Sequence, residues 1–312
     1  MATIICGVDV SSETLDARIG LDGACESFPN TPAGIEGLTG FCRAHKVELA
    51  AMEATGGYEK QPFTLLWAHQ VPAAILNPRA VRQFAQAMGF LEKTDSIDTG
   101  VIAWFAQVKR IKPMPPASAT LQHLSALVTR LGQLTQLRTA QTNQGRLVTD
   151  PVVQTGLREL LALVARQMRS LEAEIAELID ADPLWRKLDE AFRSIKGVAD
   201  RTVARLMAHL PEIGTISNKA IAKLVGLAPI ADDSGKRNGK RAIRGGRSDV
   251  RSILFVVAQV VRKYDPDFAA FHKRLGDAGK PKKVVQTALA HKLLVRLNAK
   301  ARDARKNLLA TT

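Results

Sequence analysis

Between Leu157 and Leu178 the apolar residues step by four and three in alternation: Leu157, Leu161, Val164, Met168, Leu171, Ile175, Leu178. A repeat of that length keeps one face buried only on an α-helix lying along a partner helix. Leu121, Leu124, Leu127, Leu131 and Leu134 mark a second helix of similar period, with residues 145–151 separating the two. The spacing predicts a projecting helical pair, a coiled-coil connector that mediates dimerisation.

Upstream the period is different. Ile4 to Asp9 reads as a buried strand ending in an acid. Leu15 to Leu21 alternates, and Asp22-Gly23 is a tight-turn dipeptide before a returning strand, Ala24 to Phe28. Thr31 caps a helix with Pro32 at its first position. Glu48 to Glu53 is a short strand that again ends in an acid. A helix over 61–69, a strand from Val71 to Leu76, a helix opened by Asn77-Pro78 and a helix from Asp95 to Val108 complete the alternation. This pattern predicts a mixed α/β sheet with helices packed on it. Lys112-Pro-Met-Pro-Pro-Ala-Ser118 is a linker by composition. Residues 186–312 read as mostly helical, interrupted by a basic, glycine-rich loop from Ala231 to Ser248. Three segments are therefore expected: 1–111, 112–185 and 186–312.

The 312 residues are 46% hydrophobic and 24% charged, enough for two packed cores. No apolar run approaches the roughly 20 residues of a membrane helix, and the N-terminus has no basic leader, so neither a membrane nor a secretory role is expected. Cys6, Cys25 and Cys42 are read as reduced thiols of a cytoplasmic protein. The net charge is +14, and it is uneven. Residues 1–110 carry 9 basic and 12 acidic side chains, net −3, which leaves +17 for the remainder. Lys236 to Lys306 alone holds 20 Lys/Arg against 5 Asp/Glu. Such asymmetry points to a polyanion, and to nucleic acid rather than a membrane surface, because the cations do not lie on one strongly apolar helix.

Two constellations carry chemistry. Asp9 and Glu53 each end an apolar strand, and Asp95 and Asp98 stand three apart on one face of a helix. Each acid has an ordinary reading: a strand terminus, the start of a loop, a helix N-terminal acid favoured by the dipole. Four acids converging on one sheet edge would require cations, and hard oxygen ligands select Mg²⁺ or Mn²⁺. Two such ions can clamp the attacking and leaving oxygens of a phosphodiester, the arrangement of ribonuclease-H-like nucleases. The second constellation is Ser234-Gly235 followed by Lys236, Arg237, Lys240, Arg241, Arg244 and Arg247. Ser234 could be a nucleophile toward a phosphate that the cations neutralise. On the residues alone the segment reads rather as a basic loop that positions DNA beside an incidental serine. Ser194 to Thr202, with Gly197 and Ala199, is similar to a helix–hairpin–helix turn that grips a phosphate, or is a plain helix connection. Cys42-x-x-His45 lacks the partner pair a zinc site needs. Trp67, Trp104 and Trp185 are read as core.

Taken together, Gly7-Val-Asp9-Val, Glu53-Ala-Thr-Gly-Gly-Tyr58, Asn77-Pro78, Lys93-Thr-Asp95-Ser-Ile-Asp98, Ile195-Lys-Gly197 with Thr202, Gly226-Leu-Ala-Pro229 and Ser234-Gly235 resemble the DEDD-type insertion-sequence transposases over nearly the full length. That family includes the pilin-gene inversion recombinase and the bridge-RNA-guided recombinases. Ala199 departs from the pattern, standing where many relatives have glycine. The resemblance implies an α/β ribonuclease-H-like (RuvC-like) N-terminal domain in which Asp9, Glu53, Asp95 and Asp98 hold Mg²⁺. It also implies a mainly α C-terminal transposase domain with Ser234 as nucleophile. The implied partners are donor and target DNA, a structured non-coding guide RNA that supplies sequence choice, and further copies of the chain, as a dimer or a synaptic tetramer. Two other functions are consistent with the residues: a metal-only Holliday-junction-type endonuclease, and a non-enzymatic nucleic-acid-binding protein.

Overall fold

The computed structural model describes residues 3–90, 95–231, 233–234, 237–239 and 241–311, with the backbone alone for 95–97, 237–238 and 311. The chain divides into two compact units, Met1–Ala117 and Ser118–Thr312.

The first unit runs β1 (Ile5–Val10), β2 (Thr14–Ile19), β3 (Cys25–Pro29), α1 (Pro32–Ala44), β4 (Leu49–Glu53), α2 (Lys60–Ala68), β5 (Ala73–Leu76), α3 (Pro78–Ala87) and α4 (Asp95–Val108). The sheet order is β3-β2-β1-β4-β5. The meander β1-β2-β3 is antiparallel, while β4 and β5 add in parallel on the other side of β1. This is the mixed sheet the alternation predicts. One difference lies at the hairpin: Ile19 N–H donates to the Ala24 carbonyl at 2.9 Å, so the turn spans the four residues 20–23 rather than Asp22-Gly23 alone. Gly20 takes φ 59° and begins it.

Side-chain alternation sends the strands to two cores. Cys6, Val8, Val10, Ala50 and Met52 pack with Ile35, Leu38 and Phe41 of α1 and with Phe63 and Leu66 of α2. Ile5, Leu49, Ala51, Ala74 and Leu76 face the other way, onto Val81 and Ala85 of α3 and Val101, Ile102 and Phe105 of α4. Cys6 and Cys42 are buried and free, as Cys25 is free and exposed. Hydrogen bonding to the Cys42 thiol, then burial, push the Cys6 thiol above its ordinary range. Gly7 is the contact point of β1 with α4. A Cβ there would lie 2.7 Å from Ala103 N, with the Thr99 carbonyl oxygen closer still.

The second unit is helical: α5 (Ala119–Gly145), α6 (Pro151–Ala181), α7 (Pro183–Arg193), α8 (Asp200–His209), α9 (Asn218–Val225), α10 (Ser248–Tyr264), α11 (Pro266–Asp277) and α12 (Lys282–Thr311). Between α9 and α10 lie four two-residue strands, β6 (Pro229–Ile230), β7 (Asp233–Ser234), β8 (Arg237–Asn238) and β9 (Ala242–Ile243). Ser118, Asp150 and Asp182 cap α5, α6 and α7, with proline at the first turn of the last two. Helices α5 and α6 form an antiparallel hairpin: His123 meets Glu174 at 3.0 Å at one end, and Gly145 lies against Leu157 at the other. Leu124, Leu127, Leu131 and Leu134 share one core with Met168, Ile175, Phe192, Leu254 and Leu297. The base of the hairpin is thus built into the helical unit. At its far end Leu147, Val152, Val153, Leu160 and Leu163 are exposed. No helix among the described residues is long and apolar enough to cross a membrane.

Candidate functional site

Asp9 and Glu53 occupy equivalent steps of neighbouring parallel strands. The register pairs Val8 with Met52, so the next residue on each strand is an acid. Both follow Gly7 and Ala51 by two positions and therefore lie on the α4 face of the sheet. Asp9 is half-buried and accepts the Val10 N–H at 3.0 Å. Glu53 is half-buried at the last position of β4. Helix α4 reaches this edge because Gly7 has no side chain: Thr99 and Ala103 cross β1 there, and Asp98, half-buried, precedes Thr99. Asp95 begins α4, and its side chain lies outside the described ones. Among the described residues no three His, Cys, Asp or Glu groups stand together closely enough to hold an ion. The donor set is nevertheless all carboxylate, the oxygen chemistry that suits Mg²⁺ or Mn²⁺.

The strand register adds an acid that sequence reasoning missed. Asp16 on β2 is the direct cross-strand partner of Asp9. Directly opposed side chains stand about 5 Å apart, and like charges there repel. Arg18, two residues on, packs its aliphatic stem toward Gly100 of α4, and its buried Nε has no hydrogen-bond partner. The local sequence Thr-Leu-Asp-Ala-Arg shows only an alternating strand.

A loop tied by internal hydrogen bonds follows Glu53. Gly56 (φ 64°) and Gly57 (φ 110°) adopt backbone that other residues resist. The buried Glu59 carboxylate accepts the N–H groups of Thr55 at 3.0 Å and Gly57 at 2.9 Å. Asn77, capping α3, follows β5 at the same sheet edge, beside Ala54, whose N–H donates to the Leu76 carbonyl.

Ser234 belongs to the other unit. It is exposed on β7 and pairs with Arg237 of β8. The neck of this loop is pinched shut. Gly226 (φ 77°) and Gly246 (φ 72°) touch backbone to backbone, and a Cβ on Gly246 would lie 2.6 Å from Gly226 Cα. Arg251 donates to the carbonyls of Gly245 at 2.6 Å and Val225 at 3.1 Å. Arg247 forks onto Glu212, at 2.5 and 2.6 Å, and donates to the His209 carbonyl at 2.9 Å. Burial raises the Glu212 carboxyl, but the Arg247 hydrogen bonds and charge outweigh it and hold it below the usual range. Burial lowers His209, with Arg205 and Arg247 adding to the effect against Asp249.

Of the six cations expected to contact nucleic acid, Arg241 and Arg244 are exposed, and Arg241 lies 3.9 Å from Asp233. Lys236, Lys240 and the Arg237 side chain lie outside the described residues. Arg247 is committed to Glu212. The Ser194–Thr202 turn uses Gly197 (φ 100°) to pass under Val260 and Val261, and Asp200, ion-paired to Arg193 at 3.0 Å, occupies the start of α8. The observed contacts of this turn are packing contacts, and the Asp200 carboxylate at the start of α8 is offset by Arg193.

Comparison with known proteins gives a coherent answer. A profile for a DEDD-type IS110 transposase matches residues 6–150, and one described as transposase IS116/IS110/IS902 family matches residues 189–273. The pilin gene-inverting proteins of Moraxella bovis and Moraxella lacunata are each 27% identical over 306 residues, covering 94% of both chains. A 43.6 kDa insertion element IS110 protein of Streptomyces coelicolor is 30% identical over 154 residues, 49% of this chain and 37% of that one. Among solved structures, Thermus thermophilus RuvC aligns at 14% identity and TM-score 0.28, covering 36% of this chain and all of that one. With both units matched to profiles of one kind and full-length relatives beside them, the chain belongs to the IS110 family of DEDD-type transposases.

Proposed function

We propose that this DNA transposase/recombinase cuts and exchanges strands through a serine–phosphate intermediate, with Asp9, Glu53, Asp95 and Asp98 as holders of a divalent cation and Ser234 as nucleophile. The observation that carries the reading is the placement of Asp9 and Glu53 on adjacent strand ends under α4. Mg²⁺ or Mn²⁺ bound there would offset phosphate charge at an edge that is otherwise acidic. The chain's own part is positional: Gly7 admits α4, and the Glu59-held loop fixes the end of β4. At the other unit, Ser234 Oγ attacks phosphorus. The Oγ–P bond forms, a P–O bond of the DNA breaks, the serine proton leaves to water, and the departing deoxyribose oxygen takes one up. Reversal with a different strand's hydroxyl restores the serine and rejoins DNA, so no external energy is consumed.

The neck built by Gly226, Gly246, Arg247 and Arg251 supports this role, since a nucleophile on an exposed strand needs a fixed base. The cationic second unit fits backbones of DNA and of a structured guide RNA, with base pairing supplying sequence choice. The exposed apolar tip of the α5–α6 hairpin supports self-association.

The test is a covalent adduct. Wild-type chain incubated with element-end DNA, the element's structured RNA and Mg²⁺ is expected to yield a protein–DNA species in denaturing gels, absent for Ser234→Ala and for Asp9→Asn. An undiminished adduct in Ser234→Ala removes the serine from the mechanism. Cleavage with free ends and no adduct, lost only in Asp9→Asn, establishes the metal-only endonuclease instead.

A further inference from the structure

Tyr58 ends the glycine turn that follows Glu53, and the residue is 54% exposed. The ring packs into neither hydrophobic core of the first unit. Nothing in the packing calls for an aromatic residue here. The backbone beneath it is nonetheless fixed. Tyr58 N–H donates to the Thr55 carbonyl at 3.1 Å, and Thr55 Oγ1 donates to the Glu53 carbonyl at 3.3 Å. Glu59, next in sequence, clamps Thr55 and Gly57 from below. A large flat ring thus stands in solvent within five residues of a candidate cation ligand, on a turn tied by its own hydrogen bonds.

The charge of this unit narrows what the ring can meet. Residues 1–110 are net −3, Glu53 ends the strand that leads into this turn, and on the strands beside it Asp9 and Asp16 stand directly opposite each other. With that net charge the unit as a whole does not attract phosphate. Stacking of a base on an aromatic face is insensitive to charge, and it requires a base that is already unpaired or splayed. A strand exchange reaction supplies such bases at its crossing point.

We infer that Tyr58 is a stacking platform for an unpaired base of the DNA strand whose phosphodiester is brought to the Asp9–Glu53 edge, a positioning residue for the reaction proposed above and dependent on that reading. The platform holds the flanking nucleotide so that the phosphate arrives in one orientation.

The experiment uses the full chain and a four-way DNA junction with 2-aminopurine at the branch. Wild-type chain is expected to quench the probe. Tyr58→Phe keeps the ring and should quench equally, whereas Tyr58→Ala should not quench and should bind roughly 5- to 150-fold more weakly, the worth of one stacked base. Because stacking is non-ionic, the ratio of the two affinities should stay constant between 50 and 200 mM salt, a range over which phosphate contacts weaken steeply. Equal quenching by wild type and Tyr58→Ala overturns the platform, as does a ratio that collapses with salt. If Asp9→Asn abolishes Mg²⁺-dependent cleavage while Tyr58→Ala behaves as wild type, the platform fails and the carboxylate reading stands. If Asp9→Asn cleaves as wild type does, the carboxylate reading fails and the platform falls with it.

Discussion

Replacing Gly7 by alanine tests whether the close approach of α4 to β1 assembles the acidic edge. The added Cβ would sit 2.7 Å from Ala103 N, against a Thr99 carbonyl that is nearer. Both atoms are backbone, so no side-chain rotation relieves the contact. Restoring an ordinary separation of about 3.4 Å from Ala103 N alone requires a retreat of about 0.7 Å, and the nearer Thr99 carbonyl requires more; overpacking of this kind costs roughly 1–3 kcal/mol. Asp98 adjoins Thr99 and retreats with it, opening the edge between the helix and the strand carboxylates. Misplacement of catalytic groups by about 1 Å can cost on the order of 100-fold in rate. Gly40→Ala provides the control. It sits in α1, where an added methyl would meet no atom within 4 Å, and alanine in an open helical position stabilises by roughly 0.5–1 kcal/mol. The same chemical change should therefore have opposite signs at the two sites. Urea denaturation gives the stabilities, and Mg²⁺-dependent strand cleavage in native buffer gives the activities. A Gly7→Ala chain as stable and as active as wild type would refute the argument.

Two further outcomes follow from the loop neck. Arg244→Ala should lower the slope of log K against log salt for DNA binding by about 0.9 if Arg244 neutralises one phosphate, while Arg247→Ala should leave that slope unchanged and lower the urea midpoint instead; a reduced salt slope in Arg247→Ala would contradict its assignment to Glu212. Acid should loosen the neck in two stages. His209, held low by burial, binds its proton less readily folded than unfolded, so its share of stability is complete above the ordinary His value of about 6.5 and declines as pH falls toward its lowered one. Glu212, held low by Arg247 against burial, keeps its share above the ordinary carboxylate range and loses it as pH falls through its depressed value. His291, also lowered by burial, acts in the same direction as His209. Urea midpoints from pH 8 to 5 should therefore fall less steeply for His209→Gln than for wild type, and parallel curves would count against the His209 assignment.

The sheet was legible because its strands follow period two and end in conspicuous acids, and the helical hairpin because leucines at threes and fours have one reading. Asp16 and Arg18 were not legible. Alternation places them on a polar face of β2, which a sequence takes for solvent, yet α4 covers that face because Gly7 lets the helix descend onto it. The four-residue turn before β3 escaped for a similar reason: Gly20 at φ 59° begins the bend earlier than Asp22-Gly23 suggests. At the Ser234 loop, the glycines could be seen but not their mutual contact, since Gly226 and Gly246 meet only when α9 and α10 are in place.

Arg247 illustrates the same limit with a consequence for function. Its partner Glu212 lies 35 residues away, so a run of cations in sequence cannot reveal which member is tied to the protein. Nor is it alone. Arg251 binds the Val225 and Gly245 carbonyls, Arg262 meets His272, and Arg296 meets Asp265 and Asp267. Arg302 and Arg305 donate to carbonyls between Pro211 and Ile216, and Lys292 caps the Asp267 carbonyl from above the Phe268 and Phe271 rings. Guanidinium forks suit this work because several donors can satisfy the carbonyls that helix ends leave over. The net charge of the second unit still sets its long-range attraction for a polyanion, since a cation bonded to a neutral carbonyl keeps its charge. What changes is the number of side chains able to move onto a phosphate. Long-range steering should therefore exceed what the salt slope of the bound complex implies, because the slope counts only phosphates actually contacted.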